Sequence, residues 1–192
     1  MAEKKPRIMQ DSRDMVWSLI PLLAICAVFA AIAGLSQCSF SGDAAKQNIP
    51  HFDSAAGFKA DARTMPFPIR EPAVPAAWIA NSGSTTDVGS SLASNVGWIT
   101  AQKDGNFVQL TQSGATEEQL ARSLGGDSVT GTGDKTIAGH HWIAYLDTEK
   151  NNKVWITDLG DVRIAVLSSG AEDDMTVLAK AVLAASPLPR DQ

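Results

Sequence analysis

Residues 140–168 read HHWIAYLDTEKNNKVWITDLGDVRIAVLS and contain three short apolar runs separated by polar residues. Each run is rich in the β-branched and aromatic residues that favour strands. The runs are His140–Asp147, Val154–Asp158 and Val162–Ser168, and the turns between them fall at Asn151-Asn152 and Gly160-Asp161. Asparagine and glycine are common in the tight turns of β-hairpins. We therefore predict three strands in an antiparallel meander.

A second group of strands is expected before this stretch. Val96–Gln102 and Asn106–Gln112 alternate apolar and polar residues and are joined by Lys103-Asp104-Gly105. Because Asp-Gly between such runs is a strong hairpin signal, we predict that these two strands pair. Ala76–Ala80 follows a proline-rich segment and is the candidate for a first strand, whereas Gly131-Thr132-Gly133 is predicted to lie in a loop.

Three segments of the chain carry helix signals. They are residues 53–65 with Asp53 or Ser54 as N-cap, residues 116–126 with Thr116 and Gln119 as a capping box, and Glu172–Ala185 with acids at its start. The order helix, strands, helix, strands, helix predicts an α+β domain in which helices pack on an antiparallel sheet.

The N-terminal part of the chain has a different character. Met15–Leu35 reads MVWSLIPLLAICAVFAAIAGL and has no charged side chain. As a helix it would be about 31 Å long, which matches a hydrocarbon core of about 30 Å. We therefore predict one N-terminal transmembrane helix. Ala31-Ile32-Ala33 also resembles a cleavage site, so removal of a signal peptide after Ala33 remains an alternative. Lipidation at Cys38 is disfavoured, because a lipidation signal needs a small residue where Gln37 stands.

The charges on either side of this stretch predict its orientation. Four cations precede it, Lys4, Lys5, Arg7 and Arg13, whereas the first cation beyond it is Lys46. By the positive-inside rule the N-terminus is cytoplasmic and the C-terminal domain is extracytoplasmic in the cell membrane. The predicted parts are a cytoplasmic arm (1–14), a transmembrane helix (15–35), a linker (36–50) and an extracytoplasmic α+β domain (51–192).

Charge and cysteine content exclude some classes of function. The chain of 192 residues has a net charge of −5, and the part beyond the arm has a net charge of about −6. Such a domain is a poor partner for nucleic acid, which binds clustered Lys and Arg. The two cysteines, Cys26 and Cys38, lie outside residues 51–192, so the domain must be held together by its core and not by disulfides.

Small residues recur along the predicted transmembrane helix. They are Cys26, Ala27, Ala30, Ala31 and Gly34. Small side chains allow close packing of helices in lipid, where no hydrophobic force drives association. This face is our candidate helix-docking surface, through which the protein would contact an integral membrane complex.

A search for catalytic, cofactor-binding or metal-binding residues gives no candidate. His140 and His141 are neighbours on a strand and should point to opposite faces, so one metal ion could hardly bind both. The acids Glu117-Glu118 and Glu172-Asp173-Asp174 fall where helix N-termini favour negative charge. The four tryptophans of the domain fill the core or form a binding face; they are Trp78, Trp98, Trp142 and Trp155.

Two stretches resemble a known family. KPRIMQDSRDMVWSLIPLLA at residues 5–24 and FPIREPAVPAAWIANS at residues 67–82 are similar to the actinobacterial membrane proteins called domain of unknown function 4245. The resemblance extends along nearly the whole chain and implies a single-span envelope protein, but it supplies no catalytic residues. By analogy, the predicted domain is similar to the compact sandwich of PsbP-like domains.

These observations predict a non-catalytic, membrane-anchored accessory or assembly subunit of a larger envelope complex. The resemblance makes respiratory subunits the candidate partners, because actinobacteria join a bcc cytochrome and a terminal oxidase into one supercomplex with extra single-span subunits. The alternative is an anchored extracytoplasmic module that binds a small molecule, lipid or glycan.

Overall fold

The computed structural model describes residues 19–21, 25, 50–101 and 105–190. The chain divides into two units, residues 1–49 and 50–192. In the first unit, the described residues 19–21 and 25 are helical and exposed. None of the helices in the described part of the chain has the length and apolar character that crossing a membrane requires. Most of the predicted span 15–35, the arm 1–14 and the linker up to residue 49 lie outside the described residues.

The described residues of the second unit form three helices and seven strands. In chain order they are α1 (Ser54–Thr64), β1 (Ile79–Val88), β2 (Ser91–Ile99), β3 (Phe107–Ser113), α2 (Glu117–Gly125), β4 (Val129–Ile137), β5 (His140–Asp147), β6 (Lys153–Asp158), β7 (Arg163–Ser168) and α3 (Glu172–Ala184). The seven strands form one sheet in the order β1-β2-β3-β7-β6-β5-β4, and each neighbouring pair is antiparallel. The predicted α+β class with an antiparallel sheet is confirmed.

The sheet is made of two meanders joined in its middle. Strands β1 to β3 form one meander and β4 to β7 the other, and they meet where β3 pairs with β7, Val108 lying opposite Ser168. The predicted strands at 140–168 are confirmed, and positive φ angles at Asn151 (57°) and Gly160 (92°) mark the two predicted turns. The hairpin of β2 and β3 is also confirmed, although Lys103 and Asp104 of its loop lie outside the described residues.

Helices cover both faces of the sheet. α1 and α3 pack on one face, around a large cluster with Phe58 from α1 and Leu178 from α3, whereas Leu120 and Ala121 of α2 pack on the other. Most of the tryptophans lie in the first cluster: Trp98, Trp142 and Trp155 are buried, and Trp78 is half-buried at its margin. The interpretation that tryptophans fill the core is therefore confirmed for the three buried ones.

The helix caps follow the sequence closely. The Asp53 carboxylate accepts a hydrogen bond from the N–H of Ala56 at 3.0 Å, which makes Asp53 the N-cap of α1. The Thr116 hydroxyl accepts from the N–H of Gln119, and the Gln119 side chain accepts from the N–H of Thr116. Because these bonds satisfy amides that the first helical turn leaves free, both predicted starts are confirmed.

Two expectations about the strands are wrong. Ala76 and Ala77 form a turn, and β1 begins only at Ile79 and continues through the polar segment 82–87. Gly131-Thr132-Gly133, which was expected to be a loop, lies within β4. Both β1 and β4 are edge strands whose side chains are mostly exposed, so their sequences lack the apolar alternation that predicts a strand.

Candidate functional site

A shallow groove of about 270 Å³ lies beside the N-terminus of α3, on the face of the sheet that α1 and α3 cover. We call it the α3 groove and define it by Lys135, Leu146, Lys153, Trp155 and Glu172. Strands β4, β5 and β6 supply its floor, and the first residue of α3 supplies one wall. Its residues come from distant parts of the chain, so it exists only because β4 to β6 lie side by side.

Both lysines of the α3 groove donate hydrogen bonds to neighbouring groups of the protein. The Lys135 Nζ atom donates to Glu172 Oε2 at 2.9 Å and lies 4.7 Å from the centre of the Trp155 ring. The Lys153 Nζ atom donates to the carbonyl of Gly170 at 3.0 Å. Lys135 thus makes an ion pair and a cation–π contact at once, and it shields the ring of Trp155, which is only 3% exposed. Because each ammonium group has three N–H donors, both lysines could also donate to a ligand in the groove while keeping these bonds.

A second depression of about 300 Å³ lies at the other end of α3 and is lined in part by Arg70, His140 and Asp158. Arg70 has a mainly structural role there, since its Nη1 atom donates to the carbonyl of Ala185 at 2.5 Å. Its main chain is bound in turn by the Gln112 side-chain amide through two bonds of 2.8 Å. Arg70 therefore ties the segment before β1 to the end of α3.

The residues singled out from the sequence are not brought together. His140 lines the second depression, whereas the His141 Nε2 atom lies 3.2 Å from Asp134 Oδ2, on the face of the sheet away from α3. The prediction that the two histidines point to opposite faces is confirmed. Within residues 50–101 and 105–190, no group of three His, Cys, Asp or Glu side chains could hold a metal ion. The docking face Cys26, Ala27, Ala30, Ala31 and Gly34 lies outside the described residues.

The acids at the helix starts lie in the first turns of α2 and α3, as predicted. One of these acids, Asp174, also binds residues outside its own helix. Asp174 is buried, and its Oδ2 atom accepts hydrogen bonds from the Thr100 hydroxyl at 3.0 Å and from the Asn106 amide at 3.4 Å. These bonds join α3 to the loop between β2 and β3. Apart from the position of the acid, no sequence pattern predicts this contact.

Asp147, at the end of β5, accepts hydrogen bonds from the turn that leads to β6 and from Ser128 before β4. One carboxylate oxygen accepts from the Ser128 hydroxyl at 2.8 Å and from the N–H groups of Glu149 and Lys150 at 2.9 and 3.3 Å. The bond from Ser128, then those from the two N–H groups, hold the pKa of Asp147 below its ordinary value against the opposing effect of burial. The carboxylate therefore stabilises the turn between β5 and β6 in its ionised form.

Tyr145 joins α2 to β5. Its hydroxyl donates a short hydrogen bond to Glu117 Oε1 in the first turn of α2. Burial, this bond to Glu117 and the negative charges of Glu117 and Glu118 together raise the pKa of Tyr145 to about 12. Because the unfolded chain ionises its tyrosine near pH 10, the resulting stability is present in full below about pH 10 and is lost as the pH rises towards 12.

Replacing Glu117 by glutamine is expected to lower the pKa of Tyr145 towards its ordinary value of about 10, because the carboxylate charge is removed. The pKa can be read directly by ultraviolet absorbance titration, since the chain contains one tyrosine. Replacing Asp173 by asparagine is the control, because it removes the same charge from an exposed acid at the start of α3, on the opposite face of the sheet from α2. An unchanged tyrosine pKa in the Glu117→Gln variant would contradict this account of the bond.

The fold defines an α+β protein built on a seven-stranded antiparallel sheet, with two open depressions at the ends of α3. The chain belongs to the family described as "Protein of unknown function (DUF4245)", whose model matches residues 7–182. The resemblance noted from residues 5–24 and 67–82 is thereby confirmed. No curated protein and no solved structure is significantly similar to the chain.

Proposed function

We propose that the protein is a membrane-anchored, non-catalytic accessory or assembly subunit of a larger envelope complex. Residues 15–35 would span the membrane with the N-terminus in the cytoplasm, and residues 51–192 would lie on the outer side. The observation that carries the proposal is the uncharged stretch Met15–Leu35 ahead of a separate α+β unit that begins at Pro50.

The extent of the family match supports a joint role for anchor and domain. The match at residues 7–182 includes part of the basic arm, the whole uncharged stretch and nearly all of the sheet domain. The proposal therefore assigns a role to both parts: the stretch docks on a membrane complex, and the domain covers the outer face of that complex. The proposed partner is the respiratory supercomplex of a bcc cytochrome and a terminal oxidase. We also propose that the fold of the domain is similar to that of PsbP-like sandwiches.

The proposal predicts that enlarging the small docking face weakens binding to the parent complex. The variant Ala30→Leu with Gly34→Leu should lose co-purification in mild detergent several-fold, because leucine keeps helices apart that small residues bring together. Insertion should persist, since leucine favours the membrane at least as much as alanine or glycine. The measurement is quantitative mass spectrometry of the proteins that co-elute with the tagged full-length chain.

The matched control is Val28→Leu with Ile32→Leu. In a helix with 3.6 residues per turn these positions have the same spacing and lie on the opposite side. We expect this variant to co-purify like the wild type. Equal co-purification of both double variants would exclude the small face as the docking surface, and a full-length chain without protein partners would contradict the proposed function.

The second candidate function is an anchored module that binds a small molecule, lipid or glycan, and the α3 groove favours it. The groove contains two lysines and a tryptophan ring within one open depression. A purified chain that elutes alone and carries a defined small molecule would favour this function. Loss of that molecule in Lys135→Met would assign it to the groove.

A further inference from the structure

The edge strand β1 offers an unpaired side to another strand. It stands at one end of the sheet and pairs with β2 on its inner side. Residues 82–87 are all exposed. Because an edge strand carries a row of N–H and C=O groups without partners, it is a template for pairing with a further strand.

The two edge strands of the sheet, β1 and β4, differ in the features that oppose pairing with a further strand. β4 has an irregularity between Gly131 and Gly133, in the middle of the strand, followed by Asp134 and Lys135. Bulges and lysines are devices that keep an edge from pairing. In β1 the irregularity lies between Ala80 and Ser82, near the start, and the strand contains no lysine or proline. β1 is thus the unprotected edge of the described sheet.

Neighbouring residues delimit the open part of this edge. The N–H of Phe52 donates to the carbonyl of Ala80 at 2.9 Å, so the segment before α1 already occupies the beginning of β1. At the other end Val88 is buried against α2. Among the described residues, no other segment pairs with the outer side of Ser82–Asp87, which has the sequence SGSTTD, although the ring of Phe52 lies against Gly83.

We propose that a second copy of this chain pairs with Ser82–Asp87, so that two sheets join through their β1 strands in antiparallel fashion. The segment is complementary to itself. A two-fold axis at Ser84 or at Thr85 places Asp87 of one copy opposite Asn81 or Gly83 of the other and never opposite Asp87. Serine and threonine, which favour cross-strand contacts, fill the centre of either register.

Symmetry favours β1 with β1 over β1 with β4. Pairing of two identical edges closes as a dimer, whereas pairing of two different edges forms a ring or an open-ended assembly. The bulge and charges of β4 oppose the second mode. Six residues from each copy make a small interface, so the dimer is expected to be transient.

Disulfide trapping tests this pairing in the full-length chain in mild detergent. Cys26→Ser with Cys38→Ser provides a background without cysteine, and Ser84→Cys or Thr85→Cys is then added. Each new cysteine would face its own copy in one of the two registers, so at least one variant should give a disulfide-linked dimer on mild oxidation. Thr136→Cys is the control, because it is exposed on the edge strand β4. Dimer yields from both β1 variants no higher than the control would overturn the proposal.

A second measurement places the contact without a cross-link. Thr85→Lys introduces like charges at the centre of the paired strands, and Thr85 is exposed, so the fold should persist by circular dichroism. Sedimentation of the full-length chain should show a concentration-dependent dimer for the wild type and at least ten-fold weaker association for Thr85→Lys. A wild type that stays monomeric, or a dimer that Thr85→Lys leaves unchanged, would overturn the proposal. The latter result would locate the contact elsewhere, in residues 1–49 or on another face.

Discussion

Replacing Trp98 by alanine is expected to lower the free energy of unfolding by about 3–5 kcal/mol, the cost of removing a large aromatic side chain from a core. Trp98 is 2% exposed and lies near the end of β2, opposite Ala80 of β1 and Val108 of β3. Its ring stacks on Phe58 of α1 with a centroid distance of 6.3 Å. The substitution would leave a cavity between α1 and the sheet that the surrounding strands cannot close.

The matched control is Trp78→Ala, the same substitution at a half-buried position before β1. We expect a clearly smaller loss there, because less apolar surface leaves water on folding. Urea unfolding followed by far-ultraviolet circular dichroism measures both variants of the full-length chain. If Trp98→Ala cost no more than Trp78→Ala, the contact between α1 and β2 would not be a central part of the core.

Replacing Asp174 by alanine is expected to cost about 2–4 kcal/mol, because hydrogen bonds to a charged group contribute about 1.5–3 kcal/mol each and are not fully additive. The substitution removes the acceptor for Thr100 and Asn106 and leaves the buried Thr100 hydroxyl without this bond. The loop between β2 and β3 would then be released from α3. Urea unfolding at neutral pH measures the loss.

Asp173→Ala is a close control for this prediction. Asp173 is exposed in the same first turn of α3, so its removal has a similar effect on charge at the helix N-terminus. That effect is about 0.3–1 kcal/mol at an exposed site. Equal losses in the two variants would mean that Asp174 acts only through the helix dipole and that its bonds to the loop contribute nothing.

The candidate sites differ in how far the sequence could predict them. The small face from Cys26 to Gly34 follows from residue spacing alone and stays a prediction, because those residues lie outside the described part of the chain. The α3 groove could not be predicted, since Lys135, Trp155 and Glu172 belong to three separate elements. The open edge of β1 was also missed, because residues 82–87 are polar on both faces.

The sequence by itself determined the local features of the fold. The capping box at Thr116, the turns at Asn151 and Gly160 and the three apolar runs of 140–168 each depend on neighbouring residues, so short-range physics was enough to predict them. The class of the domain followed from the order of these elements.

Only the tertiary structure decided how the two meanders join. Pairing of Val108 with Ser168 brings together strands about sixty residues apart, and no local pattern specifies which strand becomes the neighbour of β3. That choice depends on burying the apolar faces of both meanders beneath α1 and α3 at once. The same choice leaves β1 and β4 at the edges, where hydrogen bonding to one neighbour holds a polar strand in place without an apolar pattern of its own.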